Sequence, residues 1–224
     1  MDFQLRRERM VEEQLVRRGI RDPRVLDAFR RIPRHHFVEE ALREKAYGDF
    51  ALPIGYGQTI SQPYIVALMT ELLRLRPEHR VLEIGTGSGF QSAILSCLAA
   101  QVYSIERIPQ LAQRAQATLQ DLGIRNVHVK VFDGTYGWSE WAPFHGVLVA
   151  AAAPEVPPPL IDQMGEGGRL IAPVGGEDVQ VLRLLVREAS GRVRAEEHGG
   201  CVFVKLLGRF GWPGPEATAG PGET

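Results

Sequence analysis

Val81-Leu82-Glu83-Ile84-Gly85-Thr86-Gly87-Ser88-Gly89 decides the fold of this chain. Arg80 to Ile84 is an apolar run of strand length that enters a glycine cluster, and Phe90 to Leu98 (FQSAILSCL) then has the apolar spacing of a helix packed on a sheet. Strand, glycine-rich turn and helix in this order make a nucleotide-cofactor turn. A dinucleotide fingerprint, Gly-x-Gly-x-x-Gly, requires glycine at position 90, where Phe90 stands. The spacing present is Gly-x-Gly-x-Gly, preceded by the acidic Glu83. Gln101 to Ile105 (QVYSI) reads as the next strand, and Glu106 follows at its carboxyl end, where a carboxylate can accept both hydroxyls of a ribose. Each feature has a plainer reading, a tight turn for the glycines and a solvated strand-end charge for Glu106; their common register favours the cofactor site.

Composition fits one enzyme-sized unit. With 224 residues, 44% of them hydrophobic and 24% charged, the chain can bury a full core as a single α/β domain. A formal net charge of −1 lacks the basic excess of a nucleic-acid-binding domain. No apolar run reaches membrane-spanning length and the charged N-terminus has no signal-peptide core, so a soluble, cytoplasmic protein without nucleic-acid or membrane partners is expected. Cys97 and Cys201 are isolated and no histidines cluster, so neither disulfides nor a metal site is expected.

Outward from the glycine turn, the pattern divides the chain. Residues 1–50 read as helical: Asp2 can cap a helix ending at Gly19, and Asp22-Pro23 starts a second with Val25, Ala28, Phe29 and Ile32 on one face. A third short helix is expected near Glu39 to Ala46. Residues 51–64 form a loop with glycines and a proline for irregular backbone and Leu52, Ile54, Tyr56 and Ile60 to anchor it. A helix after Ser61 has an apolar side that includes Ile65, Met69 and Leu72. From 80 to 208 strands and helices alternate, with further strands expected at Val127–Phe132, Phe144–Val149, Arg169–Pro173, Val179–Arg187 and Cys201–Leu207. This is a doubly wound α/β pattern with a mostly parallel seven-stranded sheet and an antiparallel pair at one edge. Residues 1–208 make the domain, and 209–224, rich in Gly and Pro, read as a flexible tail.

Gln58-Thr59-Ile60-Ser61-Gln62-Pro63, the Glu83-x-Gly-x-Gly-x-Gly turn, Asp133-Gly134 with Gly137-Trp138, and Ala151-Ala152-Ala153-Pro154-Glu155-Val156-Pro157 occur in an order and spacing that resemble the protein-L-isoaspartate (D-aspartate) O-methyltransferases. Arg34 to Val38 (RHHFV) is similar to the bacterial and archaeal branch of that family. The resemblance implies the Rossmann-like fold of class I S-adenosylmethionine-dependent methyltransferases. It also implies transfer of a methyl group from S-adenosylmethionine to the free α-carboxylate of L-isoaspartyl residues in damaged proteins and peptides. Such an acceptor is ionised at neutral pH, which explains why no strong base is evident.

By resemblance, Ser61 is the catalytic candidate, orienting the carboxylate or the donor. A serine just before a helix can also be only an N-cap. Gly85, Gly87 and Gly89 let the backbone approach the methionine moiety, Glu106 takes the ribose, Asp133 with Gly134 meets the adenine, and Glu83, Ser88 and Arg107 also belong to the cofactor site. Thr59, Ile60 and Tyr64 line the donor or substrate cleft, Tyr64 replacing a histidine found in some relatives. His145 stands where the family commonly has aspartate, and Lys205 interrupts a Phe-Val-Pro pattern as Phe203-Val204-Lys205; both departures bear on peptide preference. Two alternatives share the fold: a methyltransferase for a nucleic-acid base or small molecule, and a noncatalytic binding protein. Ala151-Ala152-Ala153-Pro154 lacks the Asn/Asp-Pro-Pro-aromatic element of base amino-methylases, and an intact glycine turn and Ser61 loop speak against the second.

Overall fold

The computed structural model describes residues 2–214. Asp2 caps α1 (Phe3–Met10), its carboxylate accepting from the Leu5 N–H at 3.0 Å. The helix widens into π-type turns over Val11–Val16 and stops at Gly19, whose φ of 98° ends it. Asp22 caps α2 (Pro23–Arg31), and Val25, Leu26, Ala28 and Phe29 form its buried face. The third N-terminal helix takes the tighter 3-10 form, Glu40–Lys45, after another such turn at Arg34–Phe37.

The segment read as a loop contains a hairpin, β1 (Leu52–Gly55) paired antiparallel with β2 (Gln58–Ile60). Its turn residues Tyr56 and Gly57 both have positive φ, the twist that two-residue hairpins favour. Leu52, Ile54 and Ile60 are buried, which anchors the hairpin as expected. On the following helix, α3 (Pro63–Leu72), the buried stripe is Val66, Ala67, Met69 and Thr70; Ile65 and Leu72 are only half-buried, so the apolar face is rotated from the expected one.

The sheet places β5 (Val127–Val131), β4 (Gln101–Glu106), β3 (Arg80–Ile84), β6 (Phe144–Val149), β7 (Met164–Gly175), β8 (Gln180–Arg187) and β9 (Val193–Cys201) side by side in that order. The first five are parallel, and β7, β8 and β9 pair antiparallel at one edge. Between β3 and β6 the winding direction reverses, which opens a crevice at the carboxyl ends of these strands. Alternate β3 residues face opposite cores: Val81 joins the helices α1 to α5 (α4, Phe90–Ser96; α5, Pro109–Asp121), while Leu82 and Ile84 join the layer that includes α6 (Pro158–Asp162). Fully buried side chains of this size each stabilise the fold by about 1.5–3 kcal/mol.

The last strand lies earlier than Cys201–Leu207. Val193–Cys201 forms it, although it carries Arg194, Glu196, Glu197 and His198, because an edge strand exposes one face and one side to water. The apolar run that follows crosses the carboxyl ends of the parallel strands. There Lys205 bridges to Ala152 and Leu207 to Trp212, and the Val204 carbonyl accepts from the Ala152 N–H at 2.7 Å. Arg209–Trp212, expected in a flexible tail, is held in place. The Arg209 N–H donates to Asp133 at 2.8 Å, the Phe210 N–H to Thr135 at 3.2 Å, and the Trp212 N–H to the Leu206 carbonyl at 2.8 Å. Residues 215–224 of that expected tail lie outside the described residues.

Candidate active site

The glycine turn after β3 is built from backbone that other residues adopt only with strain. Gly85, Gly87 and Gly89 have φ of 93°, 53° and 88°. Gly85 and Thr86 donate to the Ile105 carbonyl, and the Gly87 N–H donates to Glu106 at 2.8 Å. The other Glu106 oxygen accepts from the Ile108 N–H at 2.9 Å, so one carboxylate fixes both the turn and the start of α5. A Cβ on Gly89 would come within 3.1 Å of the Ala115 Cβ; this glycine lets α5 approach the turn.

Beneath the turn lies a fully buried carboxylate. Glu83 accepts from the Ser92 hydroxyl and, at 2.7 Å, from the Ser104 hydroxyl, which in turn receives the Thr86 hydroxyl at 2.5 Å. Its second oxygen has no partner among the described residues. Burial is the main force on this group and pushes its pKa up to about 7; the two serine bonds oppose that shift, and the neighbouring Glu106 charge adds to it.

Above the turn is a cleft of about 920 Å³. Thr59, Ile60 and Ser61 line it on one side, Gly85 to Ser88 at the turn, and Glu106, Arg107, Gly134 and Phe203 to Leu207 also border it. A second cavity of about 1110 Å³, bounded by Arg18, Asp49, Tyr64, His198 and Val202 among others, adjoins it. Both share Thr59, Ser61, Ala150, Phe203 and Val204, so Ser61 stands where the two meet.

Ser61 is not the cap of α3. Gln62 occupies the N-cap position and makes no side-chain cap bond, and the Ser61 hydroxyl has no hydrogen-bond partner among the described residues. Instead the Ser61 carbonyl is held, accepting from the Arg34 guanidinium at 2.7 Å. Thr59, Ile60, Ser61, Gly85, Gly87, Ser88, Glu106, Arg107 and Gly134 therefore come together around one cleft.

Four other expected residues stand off its wall. Tyr64 faces the second cavity, with the Arg18 guanidinium 3.6 Å over its ring. Glu83 lies below the turn, and Gly89 faces α5. Asp133 is occupied: one oxygen accepts from the Thr135 N–H and hydroxyl at 2.9 and 2.7 Å, the other from Arg209. His145 also lies apart, at the opposite ends of the strands. Its ring stacks on His79 at 4.4 Å and accepts from the Arg80 N–H, so it packs against the start of β3, away from the cleft. Lys205 does line the cleft, ion-paired to Glu177 at 2.7 Å.

Sequence reasoning missed two buried residues. Arg34 lay in the quoted RHHFV stretch, but its link to Ser61 is long-range. Gln180, 1% exposed, accepts from the Phe203 N–H at 2.9 Å and so hangs the crossing segment from β8. Among the described residues no group of three or more His, Cys, Asp or Glu side chains could hold a metal ion.

Known proteins share both the sequence and this architecture. Residues 5–211 match the family model described as Protein-L-isoaspartate(D-aspartate) O-methyltransferase (PCMT). "Protein-L-isoaspartate O-methyltransferase 1" of Syntrophobacter fumaroxidans is 55% identical over 96% of this chain and 100% of its own length. The protein-L-isoaspartate O-methyltransferase of the Methanoculleus marisnigri strain is 56% identical over 93% of this chain and 94% of its own. A solved structure named protein-L-isoaspartate O-methyltransferase superposes with a TM-score of 0.82 at 29% identity, covering 92% of this chain and 67% of that one. A putative Plasmodium falciparum counterpart in complex with S-adenosyl-L-homocysteine superposes with a TM-score of 0.76 at 25% identity, covering 89% and 97%. With residues 5–211 matched by the family model and relatives 55–56% identical along nearly the whole chain, this protein belongs to the protein-L-isoaspartate(D-aspartate) O-methyltransferase family.

Proposed function

We infer that this chain transfers the methyl group of S-adenosylmethionine to the free α-carboxylate of L-isoaspartyl residues in damaged proteins and peptides, a repair methylation. The observation that carries the reading is the meeting of two cavities at Ser61, which gives a methyl donor and a peptide acceptor adjoining places.

The residues present suit the donor. At Gly85 and Gly87 the floor offers backbone, held at φ of 93° and 53°, a conformation that other residues adopt only with strain. Glu106 lies at the end of the cleft, and each carboxylate oxygen keeps a further acceptor site beyond its present bond, enough for ribose hydroxyls. Glu83 and Glu106 interact through the turn, so the local field favours a cation above it. When bound, S-adenosylmethionine supplies a methyl group on a positively charged sulfur, open to a nucleophile.

The chain then has to position and shield, with no proton to remove, because the acceptor carboxylate is already ionised. Ser61 does this work: its free hydroxyl can donate to one carboxylate oxygen and leave the other to attack. Well-oriented reactants gain at most about 7–11 kcal/mol from such placement. Thr59 and Ile60 hold the same wall, Ser88, Arg107 and Gly134 complete the donor side, and Tyr64 belongs with the acceptor. Asp133 acts indirectly, fixing Gly134 and the crossing segment. The methyl ester formed closes to a succinimide with loss of methanol, a step that needs no group from the protein. On this reading one chain supplies the whole site, the substrates are the cell's own ageing proteins, and the compartment is the cytoplasm.

The test is transfer of labelled methyl to a short L-isoaspartyl peptide beside the matched L-aspartyl peptide. Base-labile label on the first alone is expected. Labelling of neither, by protein that binds the donor, sinks the reading.

A further inference from the structure

Arg34 is 0% exposed, and no carboxylate pairs with it among the described residues. Its Nε donates to the Ala46 carbonyl at 2.8 Å and its Nη2 to the Ser61 carbonyl at 2.7 Å, while Nη1 has no partner. The guanidinium carbon lies 4.8 Å over the ring of Phe90, the residue that follows the glycine turn and lines the donor cleft. Burying a lone cation is costly, and burial lowers this group's pKa to about 9. A costly group needs a use, and the contacts of this one join three parts of the site: the N-terminal layer at Ala46, the reactive loop at Ser61 and the donor turn at Phe90.

We propose that Arg34 is a positioning residue for methyl transfer, whose rigid fork sets Ser61 at a fixed place relative to the donor turn. The inference rests on the repair-methylation reading above. Arginine suits this task because its donors are coplanar, so two carbonyls and a ring face are fixed together. Lysine carries the charge but has a single donor centre, which cannot hold both carbonyls in the same geometry. The position of Ser61 is what changes when the fork is lost, and a shift of about 1 Å at a reacting group can lower turnover by about 10²-fold.

Three measurements on R34K and R34M test this: melting temperature, S-adenosylhomocysteine affinity by calorimetry, and turnover of an isoaspartyl peptide, the last also in the Ser61→Ala background. We expect both variants to lose about 10²-fold in kcat while ligand affinity changes by less than about threefold. In the Ser61→Ala background the same change at Arg34 should cost less than about threefold, because residues acting as a unit are not additive. R34K is the milder change and keeps the test open should R34M not fold. Wild-type kcat in folded R34K overturns the proposal. So do equal losses in the two backgrounds, and a fall in ligand affinity parallel to kcat, which both mark a general structural role. If the wild-type enzyme labels no isoaspartyl peptide, the functional reading fails and this inference with it; failure in the variants alone leaves that reading standing.

Discussion

Replacing Glu83 by glutamine should shift stability in favour of the variant as pH rises from about 4 to about 8. The group sits fully buried between Ser92 and Ser104, and burial lifts its pKa from 4.5 to about 7. A carboxyl whose folded pKa is raised costs stability in its charged form: the penalty is absent below the unfolded value, develops between 4.5 and about 7, and is complete above that. At about 1.4 kcal/mol per pKa unit the full penalty is about 3 kcal/mol. Glutamine remains neutral, keeps an oxygen for one serine hydroxyl, and leaves a constant offset of either sign from its altered hydrogen bonds. Urea unfolding of both proteins from about pH 4 to about pH 8 isolates the group with its coupling to Glu106, since the titrations of groups that do not interact with it cancel in the difference. The difference should shift in favour of Glu83→Gln by up to about 3 kcal/mol, with the rise confined to the window between the two values. A flat difference across that window, or one that grows in favour of the wild type, refutes the account of Glu83 as a carboxylate held against its solvation.

Other substitutions separate the parts of the site. Ser61→Ala should lower turnover by about 10²-fold or more with donor affinity nearly unchanged, since the hydroxyl makes no structural bond; equal loss in both, by kinetics and calorimetry, would mark a folding effect. Glu106→Ala should weaken donor binding most, and also lower stability by about 1–3 kcal/mol because it strands the Gly87 and Ile108 N–H groups; an unchanged dissociation constant counts against the ribose role. Gly134→Ala would set a Cβ 2.4 Å from an Ile84 methyl carbon, so a stability loss of about 1–3 kcal/mol in urea unfolding and weaker donor binding are expected.

The parallel half of the sheet was legible because β3 and β6 are buried on both faces and their residues are apolar apart from Arg80, Glu83 and His145. Phe144–Val149 was read to the residue. The edge was harder. β9 is charged because it faces water, and Phe203–Leu207 is apolar apart from Lys205 because it roofs a cleft, so the apolar signal pointed one segment too late. Glu106 and the glycines were legible from spacing, which is local, and Ser61 only from the family resemblance of its loop. Asp133 was named from its Asp-Gly turn, but its partner Arg209 lies 76 residues on, and no pattern in sequence predicts that bond. Arg34 met the same limit, its two carbonyl partners being set by tertiary packing alone.

The roof of the donor cleft, Phe203 to Leu207 with the turn that pins it to Asp133, follows every strand of the sheet in the chain. The roof is therefore a segment separate in sequence from the glycine turn and the Ser61 loop, and its removal leaves the cleft open on one side. Cleavage after Gly200 would leave a protein with nearly all its sheet and an unroofed site, and a folded fragment of this kind would be hard to tell from the whole enzyme by secondary structure alone.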